Sequence, residues 1–388
     1  MPAPSAGIAR LHGRLAAFYF FYYATVGAFL PYWASYLQAR GFTAVQMGLA
    51  FALMGVMRTL VPLAWGWWAD HSGRRIGLIR WAAVAALLTF MAIPFVDGVL
   101  WIGALMIGYT LFWHALLPQF EVVALAHLQA SGGDYSRVRL WGSVGFVVAV
   151  MGLGWALDWT GILWLPWLVG AFWLGMAIAT WFVPESPRLH PLDAPRSAVQ
   201  DVLRRPQVLA LLVACLASQL SFAPYYNFFT LFLETHGYSR GAAGMLWSIG
   251  VLAEIALFVF IGRVLVHVGA RALMLAALMA TALRWCLTAA AVDAWPVLVA
   301  AQLSHAVTFG AYHVVAMHYV QRLFPADLQG RAQAIYNAVA YGIGGSIGSL
   351  AAGYVWEHIA PEAVFYAAGA VALGGWWVAW RWLPATRA

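Results

Sequence analysis

Charged residues are scarce in this chain, and lysine is missing altogether. Only 9% of the 388 residues are charged, and all 21 basic residues are arginine. A soluble domain has about 25% charged residues, because its wetted surface must be covered. The scarcity of charge therefore excludes soluble enzymes, nucleic-acid-binding proteins and disordered scaffolds.

Cysteine is also rare, and no metal-binding pattern stands out. The two cysteines, Cys215 and Cys286, lie inside apolar runs, so we expect no disulfide framework. No spacing among the histidines matches a metal site, and we expect neither a metal nor a cofactor.

The first 14 residues have no apolar core or cleavage pattern, so we expect no removable signal peptide.

Hydrophobic residues, in contrast, make up 64% of the chain. A bilayer core about 30 Å thick needs about 20 apolar residues per helix. Runs of that length without the alternation of a β-barrel predict an all-α integral membrane protein with twelve transmembrane helices. The predicted spans are 15–38, 44–66, 77–97, 99–124, 138–158, 161–183, 207–233, 241–263, 271–291, 294–321, 331–356 and 363–384.

The arginines predict the orientation, since cytoplasmic loops carry an excess of positive charge. With the N-terminus inside, 17 of the 21 arginines fall on the cytoplasmic side. Only Arg40 and Arg240 fall outside, and Arg58 and Arg284 lie within spans. We therefore expect both termini to be cytoplasmic, and the basic net charge to reflect topology and not nucleic acid binding.

The chain contains an internal repeat. Residues 40–75 lie over 236–271 at an offset of 196, with six identities at turn glycines, a histidine and an arginine. A polar, proline-rich segment at 184–206 separates the two copies. This predicts two pseudo-symmetric six-helix bundles, 1–183 and 207–388, joined by a cytoplasmic linker, with the substrate site between the halves.

Several motifs carry a resemblance to a known family. Gly66-Trp67-Trp68-Ala69-Asp70-His71-Ser72-Gly73-Arg74-Arg75 resembles the loop signature of the major facilitator superfamily, with His71 in place of the usual arginine. The segments 29–33, 134–144, 246–254 and 302–305 resemble the phenylpropionate permease group, relatives of the lactose permease and of nucleoside–proton symporters. The resemblance implies that the signature latches the halves on the cytoplasmic side, through Gly66, Asp70, Gly73, Arg74 and Arg75.

Four ionisable residues stand inside the predicted spans: Arg58, Glu121, Glu254 and Arg284. Each charge at the bilayer centre costs about 2.5–3.5 kcal/mol on insertion scales, so these side chains must face a wet cavity or one another. In the repeat alignment Arg58 falls on Glu254. Each half therefore places a charge at the same level of its second helix.

Glu121 and Arg139 are eighteen residues apart across a short cytoplasmic turn, which lets them lie at one level on adjacent antiparallel helices. The lactose permease has a Glu and an Arg at this spacing, where they bind substrate. The resemblance therefore implies substrate contact. The alternative is a structural ion pair, with Arg139 an ordinary positive-inside charge.

Glu254, Arg284 and His305 match the lactose permease's charged cluster for proton coupling. A carboxylate that alternates between a wet cavity and a guanidinium can bind and release a proton, and histidine titrates in the same range. The family's second glutamate on the tenth helix is here Thr308, and Gln219 and Phe222 replace its charged seventh-helix positions. We expect Glu254 to carry the proton; the alternatives are Glu121 as carrier, or a permanent structural Glu254–Arg284 pair.

Aromatic residues make up 15% of the chain, and several lie mid-span beside polar residues. Tyr and Trp can stack on a ring and also donate a hydrogen bond. A cavity lined by them, with Arg58 or Arg284 as the partner of the carboxylate, suits an aromatic acid such as 3-phenylpropionate, although sugar sites also use a stacking Trp. The candidate lining residues are Tyr23, Trp33, Trp141, Tyr226, Asn227 and Trp247.

These observations predict a monomeric, proton-coupled symporter that moves a small organic substrate, an aromatic carboxylate, by alternating access. Its partners are the substrate, protons and the lipid bilayer. A sugar or nucleoside symporter is the main alternative. An efflux antiporter is disfavoured, because the first span has no acidic residue. An enzyme is not expected, because no H-E-x-x-H motif and no mid-span Asp pair occur.

Overall fold

The computed structural model describes residues 6–185 and 199–385, and within them the chain forms helices and turns without a strand. The all-helical fold class is confirmed. The first helices are α1 (Ala6–Phe29), α2 (Trp33–Ala39), α3 (Ala44–Ser72), α4 (Arg75–Met91), α5 (Val99–Ser131), α6 (Tyr135–Thr160), α7 (Leu165–Phe182) and α8 (Val199–Leu203). The others are α9 (Pro206–Thr235), α10 (Arg240–Phe258), α11 (Ile261–Val268), α12 (Ala270–Ala290), α13 (Trp295–Leu303), α14 (Tyr312–Leu323), α15 (Gln329–Asn337), α16 (Gly345–His358) and α17 (Pro361–Trp382).

Most of the predicted spans are continuous helices. In the described part of the chain, ten helices are long and apolar enough to cross a bilayer, or eleven with the bent pair α1–α2 counted as one. That pair bends by 45° around Pro31, because a proline removes a backbone donor and crowds the preceding turn. The predicted span 294–321 differs: it consists of α13, a π-helical turn at Ala306–Ala311, and α14. The predicted span 331–356 also contains a π-helical segment, Ala338–Gly344, between α15 and α16. The predicted span 241–263 is divided between α10 and α11.

The chain forms two compact units. The first comprises Met1–Phe42, Met57–Pro191 and Ser239–Gly244, and the second comprises Thr43–Val56, Leu192–Tyr238 and Met245–Ala388. In the first unit α1 packs on α6 and α7, and α4 packs on α5 and α7. In the second unit α9 packs on α16 and α17, and α12 packs on α17 and on the π-helical turn. Of the predicted linker 184–206, residues 186–198 lie outside the described residues.

The sequence repeat corresponds to repeated local structure. His71 donates from Nδ1 to the carbonyl of Trp67 at 2.7 Å, and His267 does the same to Arg263 at 2.7 Å. Gly73 and Gly269 follow with φ of +62° and +82°, a conformation that glycine adopts without a Cβ penalty. The matched residues therefore build the same helix-ending turn twice.

A carboxylate from another helix caps the N-terminus of α3 and that of α10, the long helices of the two repeats. Asp158, near the end of α6, accepts hydrogen bonds from the backbone N–H groups of Arg240 and Gly241, both at 2.9 Å. Glu357, near the end of α16, accepts from the N–H of Val45 at 2.7 Å. The first N–H groups of a helix lack intrahelical acceptors, so these carboxylates satisfy them and complement the helix dipole.

Candidate functional site

Arg284 is the centre of a polar cluster in the second unit. Its side chain on α12 is almost completely buried, at 1% exposure, which is tolerated only with compensating partners. Its Nη2 donates to Gln302 Oε1 at 3.0 Å, and its Nη1 donates to Thr308 Oγ1 at 3.1 Å and lies 2.9 Å from His305 Nδ1. Gln302 lies at the end of α13, His305 immediately precedes the π-helical turn, and Thr308 lies within that turn. The irregular winding thus aims three polar side chains at one guanidinium.

Aromatic rings enclose the same guanidinium. Arg284 Cζ lies 4.5 Å from the ring centroids of both Tyr225 and Trp285 and 5.8 Å from that of Phe222. The negative faces of such rings attract a cation. The second unit therefore holds its buried charge with rings and neutral acceptors, and in the described chain no carboxylate contacts Arg284 directly.

His305 lies between Arg284 and Glu254. Because Arg284 Nη1 can only donate, Nδ1 of a neutral His305 must accept, and its proton then sits on Nε2. His305 Nε2 lies 3.6 Å from Glu254 Oε2. The three residues that the sequence grouped are therefore brought together in the order Arg284, His305, Glu254.

Several donors of this cluster have no acceptor among the described residues. They are Arg284 Nε, Trp285 Nε1 and Gln302 Nε2. Gln302 Oε1 is already occupied, since it accepts from Tyr225 OH at 3.1 Å as well as from Arg284. Buried donors without partners are costly in a native protein. The cluster therefore has spare hydrogen-bonding capacity for a ligand that carries acceptor atoms.

The other second-unit candidates form a wall beside the cluster. Trp247 stacks on Tyr225 with ring centroids 4.3 Å apart, and its Nε1 donates to Thr230 at 3.1 Å. Tyr226 is also stacked on Trp247, at 6.3 Å. Asn227 Nδ2 donates to Ser349 Oγ at 2.7 Å. These contacts fix the orientation of the aromatic wall beside Arg284.

A second polar cluster lies in the first unit. Glu121 Oε1 accepts from Tyr135 OH at 3.2 Å, and Arg139 Cζ lies 3.9 Å from the ring centroid of Tyr23. Arg58 lies in α3 with an exposed side chain. Among the described residues Glu121 and Arg139 form no ion pair within 4.0 Å. Glu121 contacts Tyr135 and Arg139 contacts Tyr23.

Gly142 makes the Arg139–Tyr23 contact possible. A Cβ atom at this position would lie 2.6 Å from the Tyr23 ring and 2.7 Å from Arg139 Nη1. Gly142 and Gln302 are therefore site residues that the sequence reasoning missed. The available signals were a glycine one turn after Arg139 and a polar residue one turn before His305.

Two tryptophans lie apart from both clusters. Trp33 is fully buried, donates from Nε1 to Met106 Sδ at 3.5 Å and stacks on Phe29 at 4.6 Å. Trp141 is 52% exposed and follows Arg139 by two residues, which places the side chains about 200° apart around α6. The structure thus packs Trp33 in the core and turns Trp141 away from Arg139.

The predicted latch motif forms a small network at the end of α3. Arg75 donates to Asp70 Oδ1 and to Gln119 Oε1. Gly66 lies beside Gln119, with a built Cβ at 3.6 Å from its Nε2, and Gly73 adopts the positive φ of the turn. The side chain of Arg74 is exposed. The motif thus joins the turn to α5 through Arg75.

The described residues contain no group of three His, Cys, Asp or Glu side chains that could hold a metal ion. Gly344-Gly345-Ser346-Ile347-Gly348 has the G-x-S-x-G spacing of a hydrolase, which requires a strand-to-helix turn. Here Ser346 lies in α16 and donates to the carbonyl of Ala52 at 2.9 Å, so the segment is a packing feature.

Comparison with known proteins identifies the family of the chain. Residues 12–367 match the MFS_1 like family. The chain belongs to this family of the major facilitator superfamily. A probable 3-phenylpropionic acid transporter of Escherichia coli K12 is 33% identical to this member of the family over 366 residues, covering 92% of this chain and 94% of the relative.

A second relative and a solved structure of the same fold are also similar to this major facilitator protein. The maltose permease of Geobacillus stearothermophilus is 28% identical over 356 residues, covering 90% of this chain and 88% of the relative. A crystal structure of a mutant of nucleoside transporter NupG has a TM-score of 0.85 at 17% identity, covering 96% of this chain and all of that chain. The chain is therefore a multi-pass major facilitator transporter.

Proposed function

We propose that this transporter carries out proton-coupled symport of a small aromatic carboxylate, such as 3-phenylpropionate, by alternating access. The observation that carries the proposal is the Arg284 cluster, in which three buried donors lack acceptors in the described chain beside a wall of aromatic rings. A carboxylate supplies the missing acceptors and an attached ring stacks on the wall. The 33% identical relative bears the name of such a transporter.

Proton coupling follows from the order Arg284, His305, Glu254. A carboxylate bound at Arg284 lies one imidazole ring from Glu254, and two charges about 7 Å apart repel by about 2 kcal/mol at an effective dielectric constant of about 20. Proton uptake by Glu254 removes this repulsion, so proton and anion favour each other's binding reciprocally. We propose Glu254 as the proton carrier and His305 as the group that positions it.

The proposed transporter has two six-helix halves, 1–183 and 207–388, joined by a linker at 184–206. The halves alternate around the substrate in a bacterial inner membrane, and both termini are in the cytoplasm. The protein acts as a monomer and has no enzymatic activity. Arg58, Glu121, Arg139 and Tyr23 contribute a second set of substrate contacts. The Asp70–Arg75 network acts as the cytoplasmic latch.

Uptake by reconstituted protein tests the proposal. Labelled 3-phenylpropionate should accumulate in proteoliposomes under an inward proton gradient, and a protonophore should abolish the accumulation. Arg284→Gln should bind the substrate at least tenfold more weakly, whereas Arg137→Gln, an exposed arginine with 87% side-chain exposure, should behave like the unmodified protein. Failure of folded protein to take up the acid would contradict the proposed cargo.

A sugar or nucleoside is the second candidate cargo. It is favoured by the hydroxyl- and carboxylate-rich first-unit cluster of Glu121, Tyr135 and Arg139, and by relatives that are named as maltose and nucleoside transporters. Gradient-driven uptake of labelled maltose or uridine, without uptake of 3-phenylpropionate, would identify a sugar or nucleoside as the cargo.

A further inference from the structure

A groove runs between α1 and α7 in the first unit, away from both polar clusters. It is lined by Arg10, Gly13, Arg14, Ala17, Ala179 and Phe182 and has a volume of about 290 Å³. We call it the α1–α7 groove. None of its lining residues is acidic, and none belongs to the proposed transport site.

The charge of the groove is concentrated on one side. Arg10 and Arg14 are four residues apart on α1, so they share a face of the helix with about 6 Å of rise between them. Within residues 6–185 and 199–385, neither side chain forms a hydrogen bond or ion pair. Two guanidinium groups at this spacing can bind one phosphate group, because its oxygens accept hydrogen bonds from the planar set of guanidinium N–H donors.

The floor of the groove is apolar and open. A Cβ atom built on Gly13 meets nothing within 4 Å, Ala17 and Ala179 are small, and Phe182 forms an exposed wall at 58% exposure. A shape of this kind accommodates a hydrocarbon chain beside a charged head.

The neighbouring residues place the groove at the level of the lipid headgroups. Trp181 is 61% exposed, and Arg80 Cζ lies 5.2 Å from its ring centroid, as in the aromatic belts of membrane proteins. Arg80 also donates to the carbonyl of Val183 at 2.9 Å. The carbonyls at the end of α7 thus already accept hydrogen bonds from Arg80 and do not compete for Arg10 and Arg14.

We propose that the α1–α7 groove is a binding site for an anionic glycerophospholipid. Its phosphate lies between Arg10 and Arg14, and the start of one acyl chain lies over Gly13, Ala17 and Ala179 against Phe182. Basic grooves between transmembrane helices are suited to anionic headgroups. The site is independent of the transported substrate.

Lipid binding to the purified full-length chain tests the site. Native mass spectrometry in detergent measures the apparent Kd of the first bound phosphatidylglycerol, with phosphatidylcholine as the neutral comparison, and the Tm in each lipid gives a second readout. The R10Q/R14Q variant removes the charge. Gly13→Leu fills the groove and leaves the charge in place.

Two matched variants serve as controls. Gly7→Leu adds the same side chain to α1 at another position where a Cβ meets nothing within 4 Å, and Arg137→Gln removes an arginine outside the groove. The unmodified protein and both controls should bind phosphatidylglycerol preferentially and gain Tm from it, since a ligand of the folded state stabilises it. R10Q/R14Q should bind about thirtyfold more weakly, because each arginine near an anionic headgroup contributes about fivefold.

Gly13→Leu should also lose the preference, although its charge is unchanged. Equal binding of the two lipids by the unmodified protein would overturn the proposal. So would full retention of the preference in both groove variants. If inorganic phosphate at millimolar concentration raised the Tm as much as phosphatidylglycerol does, the groove would be a simple anion site and the lipid assignment would be wrong.

Discussion

His305 Nδ1 lies 2.9 Å from Arg284 Nη1, and this contact determines which way the imidazole presents its proton. The ring accepts from the guanidinium on one side and faces Glu254 with Nε2 on the other. One neutral imidazole ring, that of His305, therefore lies between the buried guanidinium of Arg284 and the carboxylate of Glu254. A ligand that moves Arg284 also changes what Glu254 faces.

Glu254→Gln should separate accumulation from exchange. The amide keeps the shape and a hydrogen-bond acceptor for His305 but cannot take up a proton. We expect loss of uptake driven by the proton gradient and retention of exchange between labelled and preloaded substrate. Loss of both activities to the same degree would make Glu254 structural.

His305→Gln is the matched comparison for this cluster. Gln offers an oxygen to Arg284 and an N–H to Glu254, so it can preserve the polarity of the chain of contacts. We expect gradient-driven uptake to persist at reduced rate. If this variant lost accumulation and kept exchange, as we expect of Glu254→Gln, then His305 would be the proton carrier.

Transport of a monocarboxylate with one proton should be electroneutral. The anion charge and the proton charge cancel when Glu254 is protonated during substrate loading. In proteoliposomes, a pH gradient alone should drive uptake, and a potassium diffusion potential set with valinomycin should not change the initial rate. A rate that rises with an inside-negative potential would show that more than one proton accompanies each anion.

Gly142→Ala should weaken substrate binding in the first-unit cluster. The added methyl group would sit 2.6 Å from the Tyr23 ring and 2.7 Å from Arg139 Nη1, so the two side chains must separate. We expect a rise in the Kd of about tenfold, similar to that of Arg139→Lys, with normal expression. Gly152→Ala is the control on the same helix, because a Cβ there meets nothing within 4 Å and only helix propensity improves. Equal affinity of the two variants would remove Arg139 from the substrate contacts.

Arg75 and Arg74 should differ although they are adjacent in the latch motif. Arg75→Ala leaves Gln119, which is 5% exposed, without its charged donor; such a buried unsatisfied group costs about 1–3 kcal/mol. Arg74→Ala removes an exposed side chain and should change stability by less than about 0.5 kcal/mol. Thermal unfolding in one detergent compares the two. The same Tm for both variants would contradict the role of Arg75.

The intramembrane charges show what could be predicted from the sequence. Arg284, Glu254 and His305 stand out because charge and histidine are conspicuous in apolar spans, and the structure brings all three together. The contact of Arg284 with Thr308, in contrast, comes from the π-helical turn at Ala306–Ala311, which no local sequence signal reveals. The same turn explains why the predicted span 294–321 is not one regular helix.

Uncharged site residues are harder to predict. Gln302 looks like a tolerated polar residue until its oxygen is seen to accept from both Arg284 and Tyr225. Trp33 and Trp247 look alike in sequence, since both are mid-span tryptophans. Packing separates them: Trp33 lies in the core of the first unit, and Trp247 stacks beside the Arg284 cluster.

The carboxylates at the helix starts yield a prediction that is independent of the cargo. Asp158 holds the N–H groups of Arg240 and Gly241, and loss of such a cap costs about 0.5–2 kcal/mol. In Asp158→Ala, hydrogen exchange at these two amides should therefore accelerate about 2- to 30-fold. In Asp97→Ala, which removes only an exposed partner of Arg40, hydrogen exchange at these two amides should stay unchanged.

Glu357→Ala should accelerate exchange at the Val45 amide and leave Arg240 and Gly241 protected, because each carboxylate caps only the helix that it contacts. Acceleration at all three amides in either variant would mean that the two helix starts open together and are not capped separately.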